Sequence, residues 1–108
     1  MATDSQDEVT RMQRVPGIVF ADGPAGRRAV VAGTGLDVWE VIETWHACGG
    51  SAELLRQSYP WLTEVQLRSA LTYYEAYPKE IDVRLHREAQ WDAERAWREL
   101  PFARPHNS

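Results

Sequence analysis

Residues 51–71 read SAELLRQSYPWLTEVQLRSAL, and this stretch carries the strongest local structural signals in the chain. Ser51 can cap a short helix, and Pro60 marks the end of that helix because the residue before a proline avoids helical geometry. Thr63 and Gln66 have the spacing of a capping box, which begins a second helix. Only residues 59–62 connect the two helices, so the stretch predicts a helix-turn-helix arrangement.

Two short apolar runs upstream predict a β-hairpin. Residues 17–20 and 28–32 are rich in side chains that favour strands. Residues 21–27 between them, ADGPAGR, are dense in turn formers, which is typical of a hairpin connection. The hairpin resembles the wing of a winged-helix domain, although it precedes the helices here.

Asp37 and Glu40 mark the start of a further helix between the hairpin and the helix-turn-helix. Asp37 can accept hydrogen bonds from free backbone N–H groups, and Glu40 has the spacing of a reciprocal cap. Four apolar residues then recur at helical spacing, namely Val38, Val41, Ile42 and Trp45. Gly49 and Gly50 end this helix because glycine accepts the left-handed conformation.

These signals divide the chain into three parts. Residues 1–14 are polar and are predicted to be disordered. Residues 15–78 are predicted to form a hairpin plus a three-helix helix-turn-helix domain. Residues 79–108 are predicted to form a densely charged, tryptophan-containing helical tail, as either one helix or two. The predicted fold class is mainly α, a winged-helix-like helix-turn-helix domain with an N-terminal β-hairpin and a C-terminal helical extension.

Composition argues against several classes of protein. The 108 residues suffice for one domain, and no apolar run approaches the roughly 20 residues of a membrane span. The formal charge of −4 argues against nonspecific nucleic-acid binding through overall basicity. The single cysteine, Cys48, excludes an intramolecular disulfide and fits a reducing cytosol, so we expect a cytoplasmic protein.

The sequence contains no convincing pattern of catalytic or metal-binding residues. His46 and Cys48 are two residues apart on a predicted helix, where they point to different faces. A zinc site needs roughly four converging ligands. Cys48 also lies near a helix C-terminus, where the helix dipole does not activate a thiol. The chain has neither a glycine-flanked serine nor a P-loop. We therefore expect no enzyme, no metal and no cofactor.

A helix-turn-helix domain would contact DNA through the second helix of the motif. The predicted outward side chains of that helix are Glu64, Gln66, Arg68, Ser69, Thr72 and Tyr73. Arg27 and Arg28 at the hairpin tip are either solvated or in contact with phosphate. The candidate DNA contacts are Arg27, Arg28, Gln66, Arg68, Ser69 and Thr72. Because Arg68 is the only cation on the helix and a specific binder neutralises several phosphates, dimerisation would be needed to add contacts.

Five tryptophans in 108 residues favour a role in protein interaction. Two of them lie in the predicted tail, where arginines are close in sequence, and tryptophan, tyrosine and arginine are the residues most enriched at interface hot spots. The tail either folds back onto its own domain or binds a second chain or another protein. The candidate partner contacts are Trp91, Arg95, Trp97, Arg98 and Phe102.

Four ordered motifs between residues 15 and 88 resemble the domain-of-unknown-function family 433. They are RAVVAGT at residues 28–34, SYPWLT at 58–63, LRSALTYY at 67–74 and YPKEID at 77–82. Two positions depart from the family pattern. Gly35 stands where the family usually has arginine, and Asp37 stands where it often has proline.

The resemblance implies a small, often dimeric helix-turn-helix fold and a role as the antitoxin of a VapBC-like toxin–antitoxin system in bacteria or archaea. Partners in such systems are commonly PIN-like ribonucleases, and antitoxins often repress their own operon. By this analogy, Arg68 and its neighbours would contact operator DNA, and the tail from Trp91 to Phe102 would contact the toxin. We therefore expect a homodimeric, antitoxin-like protein that binds and blocks a PIN-like ribonuclease toxin. The alternative is a stand-alone helix-turn-helix transcriptional regulator that binds DNA.

Overall fold

The computed structural model describes residues 2–24 and 26–99, with the side chains of residues 7–24 and 26–98. This part of the chain forms five helices and one two-stranded hairpin. In chain order the elements are α1 (Ala2–Arg14), β1 (Ile18–Gly23), β2 (Gly26–Val31), α2 (Val38–Ala47), α3 (Ala52–Ser58), α4 (Glu64–Ala76) and α5 (Pro78–Glu99). The mainly helical fold with an N-terminal hairpin confirms the predicted fold class.

The hairpin is antiparallel, and its connection is shorter than the sequence predicts. β1 and β2 pair from Ile18 with Val31 at the open end to Gly23 with Gly26 at the tip. The strands therefore take in most of the turn-forming residues 21–27. Gly26 allows the short connection, since its φ of +109° lies in a region that suits glycine.

The core lies where β2, α2 and α4 meet. Six of the described side chains are 0% exposed, namely Val31, Val38, Val41, Ile42, Ala70 and Tyr73. Three of these, Val38, Val41 and Ile42, belong to the apolar stripe predicted for α2. Burying side chains of this size is worth about 1.5–3 kcal/mol each, so this stripe fixes how α2 lies on the sheet and on α4.

The helix starts predicted from sequence are confirmed. The Ser51 hydroxyl accepts the N–H of Leu54 at 3.1 Å at the start of α3. At the start of α4, the N–H of Thr63 donates to the Gln66 side chain at 2.9 Å, and the Thr63 hydroxyl accepts the N–H of Gln66 at 3.1 Å. These reciprocal bonds satisfy backbone groups that have no partner within the helix, so they define the turn between α3 and α4.

The structure differs from the expected disorder of residues 1–14, because Ala2–Arg14 forms the helix α1. Arg11 anchors this helix by donating to the Tyr73 hydroxyl at 2.9 Å and by pairing with Glu80. The Arg11 guanidinium also lies 4.3 Å from the ring centroid of Tyr77. These partners are more than 60 residues away in sequence, so the composition of the segment alone could not indicate them.

α5 is one continuous helix over Pro78–Glu99, which answers the question of one helix or two for that range. Its first two turns pack against the body, with Ile81 only 3% exposed and Leu85 half-buried. The start of the predicted tail therefore contributes to the core. No helix among the described residues is both long enough and apolar enough to cross a membrane.

Candidate functional site

The hairpin arginine nearest the tip, Arg27, is tied to two carboxylates. It pairs with Glu8 of α1 at 2.7 Å and with Asp22 of the facing strand at 3.1 Å. The hydrogen bond from Arg27 lowers the pKa of the Glu8 carboxyl, and the bond to Glu8 raises the pKa of Arg27. The side chain of Arg27 is still 48% exposed, so it is within reach of a phosphate. Because it is already paired, the phosphate would have to compete with these two carboxylates.

The second hairpin arginine, Arg28, forms an ion pair within the fold. It pairs with the carboxylate of Asp37, which is 6% exposed at the start of α2. The other oxygen of that carboxylate accepts the indole N–H of Trp39 at 2.9 Å. Asp37 is one of the two departures from the family pattern, and here it balances the charge of Arg28. The structure therefore makes Arg28 a connection between β2 and α2.

Two residues predicted to point outward from α4 point inward, so that prediction is wrong for them. Ser69 is 7% exposed and Tyr73 is 0% exposed. The Ser69 hydroxyl lies 2.9 Å from the carbonyl of Val65 and 3.3 Å from that of Pro16, either of which can accept its proton. This hydrogen bonding lets a polar side chain occupy the inward face. Ser69 therefore cannot serve as the predicted DNA contact without leaving the core.

Gly17 explains why the inward residue on α4 is small. An added Cβ at Gly17 would lie 2.5 Å from the Ser69 hydroxyl oxygen, and the φ of Gly17 is +102°. The backbone entering β1 therefore passes directly over Ser69 at a position that a side chain would block.

The exposed face of α4 carries little positive charge. Arg68 is 71% exposed and pairs with Glu64 at 3.2 Å, and Thr72 is exposed in line with both. Gln66 is half-buried and is used in the capping box. Glu75 adds a second carboxylate to this face. One cation between two carboxylates gives weak attraction for a phosphate backbone.

The distal segment of α5, which we define as residues 89–98, is exposed along its whole length. Trp91 is 47% exposed and Trp97 is 46% exposed. Arg98 lies 5.7 Å from the ring centroid of Trp91 and pairs with Glu94 at 3.8 Å. Arg95 is exposed on the same segment. Of the predicted partner contacts, Phe102 lies outside the described residues.

An apolar stripe continues from the core onto the distal segment. Ile81 and Leu85 pack against the body. Ala89, Ala93 and Trp97 follow at intervals of four residues, and all three are exposed. Each step of four residues advances the helix by about 400°, so the stripe drifts by about 40° a step and Trp97 lies about 160° around α5 from Ile81. The stripe therefore winds away from the body, and its end is uncovered.

Sequence reasoning missed a cluster of cations between β2 and α5. Lys79, Arg84 and Arg87 of α5 line a groove together with Arg27 and Arg28. The only signal in the sequence was the spacing of five, three and eight residues among these cations within a densely charged helix. That spacing does not by itself distinguish a binding surface from a solvated face.

The fold and the exposed surfaces define a small helix-turn-helix domain with a hairpin and an extended C-terminal helix. The chain belongs to the family described as "Protein of unknown function (DUF433)", whose model matches residues 18–74, from β1 into α4. No curated protein and no solved structure matches the chain significantly. The matched region includes Arg27, Arg28 and the exposed face of α4 apart from Glu75, and it excludes α5.

Proposed function

We propose that this chain is an antitoxin-like interaction protein, which binds and blocks a PIN-like ribonuclease toxin through the distal segment of α5. The observation that carries the proposal is that every residue from 89 to 98 is exposed, including two tryptophans that are each nearly half exposed. Patches of large apolar side chains exposed on a protein surface mark interaction sites. The toxin–antitoxin role and the kind of nuclease come from the family resemblance.

Inhibition in this proposal is steric. Trp91 and Trp97 point about a third of a turn apart on α5, since six residues advance the helix by about 600°. Two such side chains can occupy neighbouring pockets on a partner, while Arg95 and Arg98 contact carboxylates at its edge. Buried aromatic anchors with a polar rim are the common pattern of tight protein interfaces. The blocked nuclease would need no chemistry from this chain.

The test is coexpression with the nuclease encoded nearest to this chain's gene, followed by purification and a ribonuclease assay. We expect the wild-type chain to copurify with the nuclease and to inhibit it. Trp91→Ala with Trp97→Ala should weaken inhibition at least about a hundredfold, because each anchor is worth about 2 kcal/mol or more. Trp61→Ala is the matched control, since Trp61 is 60% exposed but lies in the turn before α4.

Full inhibition by the double variant would contradict the proposed site, and failure to bind any such nuclease would contradict the proposed function. Homodimerisation is part of the proposal and is measured by sedimentation of the purified chain.

The alternative function, a stand-alone regulator, is favoured by the helix-turn-helix arrangement of α3 and α4. It predicts that the chain binds the DNA upstream of its own gene at low salt. Arg68→Ala should weaken this binding, because one phosphate contact is lost.

A further inference from the structure

A groove of about 420 Å³ lies between β2, the start of α2 and the first three turns of α5. We call it the basic groove. Its apolar part consists of Ala29, Ile81 and Trp39, with Val83 at the edge. Val83 is 57% exposed, whereas Ala29 and Ile81 are 5% and 3% exposed. The groove thus has an aliphatic floor and an uncovered apolar side chain at its rim. Its lining also includes the carboxylate of Glu80, which pairs with Arg11 of α1.

Three of the five cations that line the basic groove already have partners. Arg27 pairs with Glu8 and Asp22, and Arg28 pairs with Asp37. Arg84 pairs with Glu88 at 2.7 Å and lies 5.1 Å from the ring centroid of Trp39. These three cations are therefore held by contacts within the fold.

Lys79 and Arg87 are different, because among the described residues neither has a carboxylate within ion-pair distance. They are eight residues apart on α5, which places them about 12 Å apart along the helix axis. Val83 lies midway between them on the same side. Two available positive charges therefore flank one exposed aliphatic side chain.

This arrangement favours an acidic peptide over a nucleic acid. A base would need a free aromatic face, but Arg84 covers Trp39 and Asp37 occupies its indole N–H. A long polyanion would also meet the carboxylates that hold the other cations. A short peptide with one apolar side chain over Val83 and an acidic residue on either side needs only the two available charges.

We propose that the basic groove binds an acidic segment of a partner protein, with Lys79 and Arg87 contacting carboxylates and Val83 contacting an apolar side chain between them. The site is separate from the distal segment of α5 and does not depend on the proposed nuclease partner. It adds a second contact surface on the side of α5 that faces the hairpin.

The test is selection of a random-peptide phage library on the immobilised full-length chain. We expect enrichment of peptides in which acidic residues flank an aliphatic or aromatic one. A fluorescein-labelled peptide from the selection is then titrated by anisotropy. Lys79→Gln with Arg87→Gln should weaken its binding at least about tenfold, since each removes one charge contact. Val83→Asp should weaken binding as well, and its exposed position leaves the fold intact.

Arg14→Gln with Arg56→Gln is the matched control, because it removes the same charge from exposed positions of α1 and α3. It should change the affinity less than about twofold. No acidic consensus, or equal binding by the groove variant and the control variant, would overturn the proposal. Low-salt binding of single-stranded or duplex DNA that the groove variant alone abolishes would also overturn it, in favour of a nucleic-acid site.

Discussion

Asp37 joins β2 to the start of α2 through one carboxylate. It pairs with Arg28 of β2, accepts the indole N–H of Trp39 and precedes α2 as its N-cap residue. The N–H of Asp37 in turn donates to the Glu40 carboxylate at 3.0 Å. One residue thus fixes the angle at which the hairpin meets the first core helix.

Asp37→Ala is expected to lower the free energy of unfolding by about 2 kcal/mol, because it removes a cap and leaves Arg28 without its partner. Urea denaturation followed by circular dichroism measures the change. Glu43→Ala, an exposed change on α2, is the control and should alter stability by less than about 0.5 kcal/mol. Equal effects of the two substitutions would show that the Asp37 contacts do not stabilise the fold.

Tyr73 makes stability depend on pH in the alkaline range. Burial raises the pKa of Tyr73 above its ordinary value, and the nearby Arg11 guanidinium opposes part of that shift. Above about pH 10 the unfolded chain therefore ionises this tyrosine before the folded chain does, so unfolding becomes more favourable.

We expect the ionisation of Tyr73 to leave the free energy of unfolding unchanged below about pH 10 and to lower it as the pH rises further. Tyr73→Phe should make this fall less steep, whatever its effect at neutral pH. Part of the fall should remain, because the hydrogen bond to Asp82 raises the pKa of Tyr74 as well. Urea denaturation at a series of alkaline pH values measures the slopes. An identical slope in Tyr73→Phe would exclude Tyr73 as a source.

At the scale of elements, the two ends of α5 have different roles. Ile81 is buried against α2 and α4, whereas every described residue from 89 to 98 is exposed. The packed end holds the helix, and the exposed end is available to a partner. The stability of the isolated chain should therefore come from the packed end.

Ile81→Ala is expected to lower the free energy of unfolding by about 3 kcal/mol, because it leaves a cavity in the core. Trp97→Ala should lower it by less than about 0.5 kcal/mol, although it removes a larger side chain. Both values come from urea denaturation of the purified chain. A loss of more than about 1 kcal/mol for Trp97→Ala would mean that the distal segment stabilises its own body.

Elements with strong local signals could be predicted from sequence. The starts of α2, α3 and α4 follow from capping residues that lie within three positions of the atoms they bond. α1 could not be predicted, because Arg11 depends on Tyr73 and Glu80, more than 60 residues away. Ser69 does not point outward as predicted, because the backbone carbonyls of Val65 and Pro16 can accept its hydroxyl proton on the inward face.

At the scale of the whole molecule, the extended helix sets the shape. The radius of gyration is 16.1 Å, compared with about 13 Å for a compact chain of this length. The basic groove also belongs to this scale, since it brings together Arg28 of β2 and Arg84 of α5, which are far apart in the sequence. Sequence spacing indicated the charges on α5 but not the β-strand that they face.

The close approach of Gly17 to Ser69 limits how the sequence can vary during evolution. A side chain at position 17 would collide with position 69, so neither residue can enlarge while the other stays as it is. Relatives with this backbone path should keep glycine at the first position and a small residue at the second. A larger residue at position 69 should occur only together with a changed approach to β1, so the two positions should vary together across the family.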